Sequence, residues 1–176
     1  MNWYKKHLTK QNKSVIIAQM NKELIIFRGC PSSGKSYLAN ELAGDTGSVH
    51  SADTYHEDPE TGEYNWKIEN VKKAHQWNHQ QAKVSIEQGI SPVIIDNTNT
   101  TLWEMKQLKQ LVELAQFLGY DVRIEEPNPD WFYWDTAFDA DALFERNKKT
   151  HNVPLDSIQK MINRWDKDIT IEDILE

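Results

Sequence analysis

A chain of 176 residues, 39% hydrophobic and 27% charged, has the composition of one globular domain with a core of its own. No apolar run approaches the ~18–20 residues of a membrane span, and the single cysteine, Cys30, excludes an intramolecular disulfide. A net charge of −7 speaks against nonspecific coating of nucleic acid, while leaving room for a site that grips one strand end.

Residues 1–21 are polar, lack clear periodicity and read as an N-terminal extension to a domain over 22–176. They carry no signal-peptide pattern, and the lone cysteine fits a reducing compartment, so a cytoplasmic protein is expected. Positions 1–35 hold seven Lys/Arg against one acid, Glu23, a net of +6, which leaves −13 for the remainder. Solvated surface is the plain reading of this asymmetry; a basic rim beside a phosphate site is the sharper one.

Leu24-Ile25-Ile26-Phe27 is a continuous apolar run stopped by Gly29, the pattern of a buried parallel strand. A helix is predicted over 36–43, closed by Gly44, and a short strand over 49–51 leads to Asp53. The acidic, Pro- and Gly-containing stretch 56–65 reads as a loop. A long helix follows over 68–88, then a second buried strand, Val93-Ile94-Ile95-Asp96. Thr101 and Glu104 have capping-box spacing and open a helix with Leu108, Leu111, Val112, Ala115 and Leu118 inward. A strand over 122–124 and helices over 140–148 and 155–165 complete the chain. Strands alternating with helices predict a three-layer α/β fold with a mainly parallel sheet.

Gly29-Cys30-Pro31-Ser32-Ser33-Gly34-Lys35-Ser36 satisfies G-x-x-x-x-G-K-[ST] between a strand and a helix, the context that makes this pattern a phosphate cradle. Its amides converge on phosphate, with the helix N-terminus behind them. Gly29, Ser32, Ser33, Gly34, Lys35, Ser36 and Tyr37 are therefore the nucleotide-contacting candidates. Lys35 supplies a point charge to the β/γ-phosphates and Ser36 a hydroxyl to Mg²⁺. Cys30, at a free position of the loop, reads as a packing residue.

The chain lacks the guanine-reading Asn/Thr-Lys-x-Asp pattern of GTPases and is short for a motor ATPase. A compact kinase needs a base near the acceptor hydroxyl and a basic lid. Asp53, at a strand's carboxyl end, is the candidate base. Asp96 reads either as a holder of Mg²⁺-bound water or as ordinary turn chemistry, and the run 97–100 adds amides and hydroxyls beside it. Arg146, late in a helix, is the candidate arginine for transferring phosphoryl charge. His75 and His79 share a helix face but have no third metal ligand nearby in sequence, and packing or surface roles fit them better.

The glycine loop, with its Cys-Pro pair, resembles that of the P-loop 5′-hydroxyl polynucleotide kinases, the phage enzyme among them. The kinase-like domain of animal proteins that bind a Nedd-type ubiquitin ligase resembles more of the chain. That likeness is carried by Ala74-His75-Gln76-Trp77-Asn78, by residues 90–99 and by Trp103-Glu104-Met105-Lys106. Gly119-Tyr120, Glu126-Pro127, Arg146-Asn147 and Val153-Pro154 extend it over about 23–165. The resemblance implies a P-loop kinase that moves the ATP γ-phosphate, with Mg²⁺, to the 5′-hydroxyl of DNA or RNA. It implies Lys35 and Ser36 for ATP and Mg²⁺, Asp53 as general base and Arg146 as a lid arginine. Thr98, with Asn99, falls at the acceptor side. His56 stands where an acceptor-binding arginine is usual, Thr54 where a second aspartate is, and Thr150 where a second lid arginine is. These departures bear on the acceptor and leave two alternatives: a kinase of a small molecule or nucleotide, and a nucleotide-gated binding module.

Overall fold

The computed structural model describes residues 21–148 and 150–176, so all but the last residue of the expected N-terminal extension lies outside it. Four strands, β1 (Lys22–Phe27), β2 (Ser48–His50), β3 (Val93–Asp96) and β4 (Tyr120–Glu125), form a parallel sheet in the order β2-β3-β1-β4. The central strand pairs Leu24 with both Val93 and Val122.

Side chains on a strand alternate between faces, so an unbroken apolar strand needs cover on both. Leu24, Ile26, Val93 and Ile95 pack against Ala82 and Ile86 of α2 (Val71–Glu87), and Leu111, Val112 and Ala115 of α4 (Lys109–Phe117). Ile174 of α7 (Ile171–Leu175) joins the same cluster. Ile25, Phe27 and Ile94 meet Ala39 and Ala43 of α1 (Lys35–Ala43), together with Trp131. The result is the expected three layers. Each fully buried Leu, Ile or Phe contributes roughly 1.5–3 kcal/mol, which makes β1 the strand the domain can least afford to disrupt.

The helix expected to open at Thr101 is divided into α3 (Leu102–Lys106) and α4. Its capping box is present. The break comes from tightened i→i−3 bonds, Gln107 N to Glu104 O at 3.2 Å and Leu108 N to Met105 O at 2.9 Å. This offset keeps Met105, Leu108 and Val112 buried, while Leu118, expected inward, is only partly buried and Phe117 is exposed. The helix expected from residue 68 begins with a 3₁₀ turn and becomes α-helical at Val71.

Helices α5 (Ala140–Asn147) and α6 (Leu155–Asn163) lie over the glycine loop, where Leu143 and Ile158 bury Cys30. No helix among the described residues is long and apolar enough to cross a membrane. Because the sheet is parallel, all four strands deliver their carboxyl ends to one edge: the glycine loop, Asp53, Asp96 and Glu125 follow from that alone.

Candidate active site

The glycine loop is shaped by its backbone. Gly34 has φ 100 and Ser32 φ 61, left-handed values, and the former is what the glycine relieves of a Cβ penalty. At Gly29 the requirement is space, since a Cβ there would stand 2.7 Å from Ser33 Oγ and 3.2 Å from Lys35 Cδ. Gly29 N donates to Thr98 O at 2.9 Å, and Lys35 Nζ is drawn back to Cys30 O at 3.0 Å. Helix α1 starts with no side-chain cap and no acidic residue in its first turn, so no side chain of its own N-terminus satisfies its first amides. Ser33 Oγ is buried without a partner among the described residues. A cradle of donors, closed to a Cβ, fits a phosphate group.

Asp96, 5% exposed, accepts a 2.5 Å hydrogen bond from Ser36 Oγ through Oδ2, while its Oδ1 is buried without a partner among the described residues. A hydroxyl and a carboxylate side by side are hard oxygen donors suited to Mg²⁺, which keeps several waters and takes few protein ligands. Among the described residues no group of three His, Cys, Asp or Glu could hold a metal. Ser36 and Asp96 together are residues that could hold such an ion.

These groups open onto a cavity of about 440 Å³, whose wall includes Lys35, Ser36, Asp53, Asp96, Asn97 and Thr98. Asn97 fixes its depth. Its Oδ1 accepts from Ala52 N at 2.9 Å, and its Nδ2 donates to Asn78 Oδ1 at 3.2 Å. These bonds tie the end of β2 to β3 and α2 and so position the half-exposed Asp53. Tyr64 donates to Asp53 Oδ1 at 3.2 Å, and His151 Nε2 lies 3.9 Å from Oδ2. Burial first, then the Asp53 charge, pushes the Tyr64 hydroxyl's pKa up and keeps it a donor. His75 also lines the cavity, its pKa lowered chiefly by desolvation.

Other expected residues stand elsewhere. Asn99 does not line the cavity; with φ 44 it turns its Nδ2 inward to Phe27 O at 2.8 Å. His56 is buried among the rings of Tyr55, Tyr64 and Trp66, and lines a separate surface recess. Tyr37 is exposed and donates to Glu41 on its own helix at 2.9 Å, as i, i+4 spacing dictates. Arg146 is held outside the cavity wall. Its Nε bonds Ser32 O at 3.1 Å, its Nη1 bonds Thr136 Oγ1 at 3.1 Å, and its guanidinium stacks over Tyr133 at 4.4 Å. It braces the loop from behind, with Asn147 Nδ2 on Ser32 Oγ at 3.2 Å beside it.

Sequence patterns give no sign of several wall residues: Tyr64, Trp66, Glu104, His151 and Arg164. Nor do they mark Arg28 as more than one basic residue. Its fully buried side chain bonds Asn99 O, Asp166 O and Glu126 Oε2 at 2.9, 2.7 and 2.8 Å, and stacks on Trp165 at 4.3 Å. It pins the 97–100 loop that carries Thr98.

Comparisons with known proteins bear on the family and the fold. A family described as "AAA domain" matches residues 24–166. Human NEDD4-binding protein 2 is 36% identical over 154 residues, covering 86% of this chain but 8% of that relative, so the chain spans a small part of its length. A chain in the Pnkp1/Rnl/Hen1 RNA repair complex superposes with TM-score 0.57 at 19% identity, over 82% of this chain and 44% of that one. A second Pnkp1/Rnl/Hen1 structure gives TM-score 0.50 at 19% identity, over 72% and 39%. The shared fold is that of a P-loop, kinase-like domain.

Proposed function

The chain belongs to the AAA-domain family of P-loop proteins, and from that premise we propose that it transfers the ATP γ-phosphate to the 5′-hydroxyl of DNA or RNA. The observation that carries this reading is one cavity wall shared by Lys35, Ser36 and Asp96, which suit a nucleotide triphosphate with Mg²⁺, and by Asp53. Asp53 accepts from Tyr64 there, and Trp66 lines the same cavity; aromatic side chains suit an acceptor bearing a base.

In this reading Lys35 leaves its bond to Cys30 O for the β/γ-phosphates, and the loop amides take the remaining charge. Ser36 and Asp96 would hold Mg²⁺, which when bound would supply charge neutralisation for the transferring group. Asp53 accepts the proton of the acceptor hydroxyl as its oxygen bonds to phosphorus and the bond to the β-γ bridging oxygen breaks, releasing ADP. Tyr64 fixes one Asp53 oxygen and leaves the other for that proton. Supporting the finer assignment is the resemblance of the glycine loop to that of the polynucleotide kinases, alongside the longer likeness of residues 23–165 to the kinase-like domain of Nedd-ligase-binding proteins.

A second reading, a kinase of a small molecule or nucleotide, draws on His56 lying outside the cavity, where it adds no charge to an acceptor site. The test incubates the protein with γ-labelled ATP, Mg²⁺ and 5′-hydroxyl DNA and RNA oligonucleotides. Label on the 5′ end is expected, with Asp53→Asn binding ATP normally and transferring roughly 10²–10⁴-fold more slowly. Transfer to nucleosides or metabolites with none to oligonucleotides would select the second reading.

A further inference from the structure

Arg164 follows the last turn of α6, its N–H bonded to Lys160 O at 3.1 Å, and its half-exposed side chain lines the cavity that holds Lys35, Ser36, Asp53 and Asp96. Two contacts fix it. Nε donates to Thr100 Oγ1 at 2.9 Å and Nη2 to Glu104 Oε1 at 2.7 Å. Glu104 is itself immobilised, because its other oxygen receives Thr100 N at 2.6 Å and Thr101 N at 3.3 Å in the capping box. Arg164 Nη1 has no protein partner among the described residues. An arginine held by two of its three nitrogens, with the third available, has already lost most of the rotamer freedom that binding an anion would cost.

Two further observations place the Arg164 charge near the glycine loop. Lys35 Nζ bonds the carbonyl of Cys30, and both the Lys35 and Arg164 charges act on the Cys30 thiol, so the two cations converge on the glycine loop. Arg146, by contrast, spends its donors on Ser32 O and Thr136, outside the cavity wall. Counting the cavity's fixed charges, Asp53, Asp96 and Glu104 oppose Lys35 and Arg164, so Arg164 is the arginine of that wall.

We infer that Arg164 is a phosphate-recognition residue, presenting Nη1 to a phosphate oxygen in the cavity while Thr100 and Glu104 hold its other nitrogens. This rests on the kinase reading for bringing phosphate there. The phosphate has two possible sources, the transferring phosphoryl group or the phosphate on the acceptor's 3′ side, and the test separates them.

The full chain and its Arg164→Gln variant are titrated with ADP and Mg²⁺, with and without aluminium fluoride, which mimics the transferring group. They are titrated in parallel with a 5′-hydroxyl nucleoside and its 3′-monophosphate. Plain ADP affinity is expected to match between the two proteins. In the arm that reports Arg164's partner, the variant loses ~30-fold or more of the affinity that wild type gains. Arg164→Lys, which keeps charge and one bond to Glu104 but not the fork, falls between and covers the case in which Arg164→Gln folds poorly. Loss in the fluoride arm assigns the transferring group; loss in the 3′-phosphate arm assigns the acceptor. If wild type gains from neither, or the variants gain as much as wild type in both, the inference is overturned. A protein that labels no oligonucleotide yet shows the Arg164-dependent gain would defeat the polynucleotide reading and leave this one standing.

Discussion

Replacing Asp96 with Asn should separate what the site costs the fold from what it gives the ligand. Asp96 is 5% exposed, with one oxygen on Ser36 Oγ at 2.5 Å and the other buried without a partner among the described residues. A buried polar oxygen without a partner costs about 1–3 kcal/mol, and a charged one more. Asparagine keeps the shape and a bond to Ser36 while removing the charge. Without ligand, Asp96→Asn is therefore expected to gain about 1–2 kcal/mol, which for a chain of this size raises the melting temperature by roughly 3–6 °C. With Mg²⁺ and ADP the sign reverses. At ligand near 100 times its Kd, wild type gains about 2.7 kcal/mol; a hundredfold affinity loss leaves the variant about 0.4 kcal/mol. Thermal melts of both proteins, with and without Mg²⁺–ADP and with EDTA added back, read all four states. A variant that melts lower without ligand and keeps its Mg²⁺-dependent gain would refute the reasoning and make Asp96 a structural cap.

Other outcomes follow from the same contacts. Arg28→Ala should lose about 3–5 kcal/mol in urea unfolding, because it strands the buried carbonyls of Asn99 and Thr100, and Arg28→Lys should recover less than half. The Cys30 thiol, fully buried and pushed up to about 11 by desolvation against the opposing Lys35 and Arg164 charges, should alkylate at pH 8 at least ~100-fold more slowly in the native protein than in urea. A rate within a few-fold of the unfolded one would show the helices over it open readily. Burial, and then the His75 charge, hold His79 down to about 4. The unfolded chain binds that proton first, near ~6.5, so the contribution is intact above that pH and is lost as pH falls toward 4. After allowance for solvent screening it is on the order of 1 kcal/mol. His79→Gln should flatten the difference in melting temperature between pH 7.5 and 5, and an equal acid loss in both proteins would exclude this source.

Much of the fold was readable because its signals are local. The apolar runs 24–27 and 93–95 read as strands covered on both faces, and they are. The eight-residue loop dictates its own geometry, since Gly34 must turn left-handed and Gly29 must leave room for Ser33 and Lys35. Thr101 and Glu104 form their capping box within four residues. The ends of parallel strands share one edge, which is why Asp53 and Asp96 reach one cavity from sequence logic alone.

The rest of the site was out of reach for the opposite reason. Asn99 and Thr98 are adjacent and chemically alike in sequence, yet one turns to Phe27 O and the other lines the cavity, a choice made by the buried Arg28 across 71 residues. His56 reads as a ligand residue until three aromatic rings surround it. Arg146 stands outside the cavity wall because Thr136 and Tyr133 hold it, while Thr100, 64 residues away, holds Arg164, which no sequence pattern marked, on that wall. The sequence by itself determined the phosphate cradle, the sheet and the carboxylates at its edge, since backbone sterics and burial periodicity act over a few residues. Which cation and which aromatic side chains face those carboxylates was decided only when distant segments packed together, because side-chain direction is set by contacts that have no period along the chain.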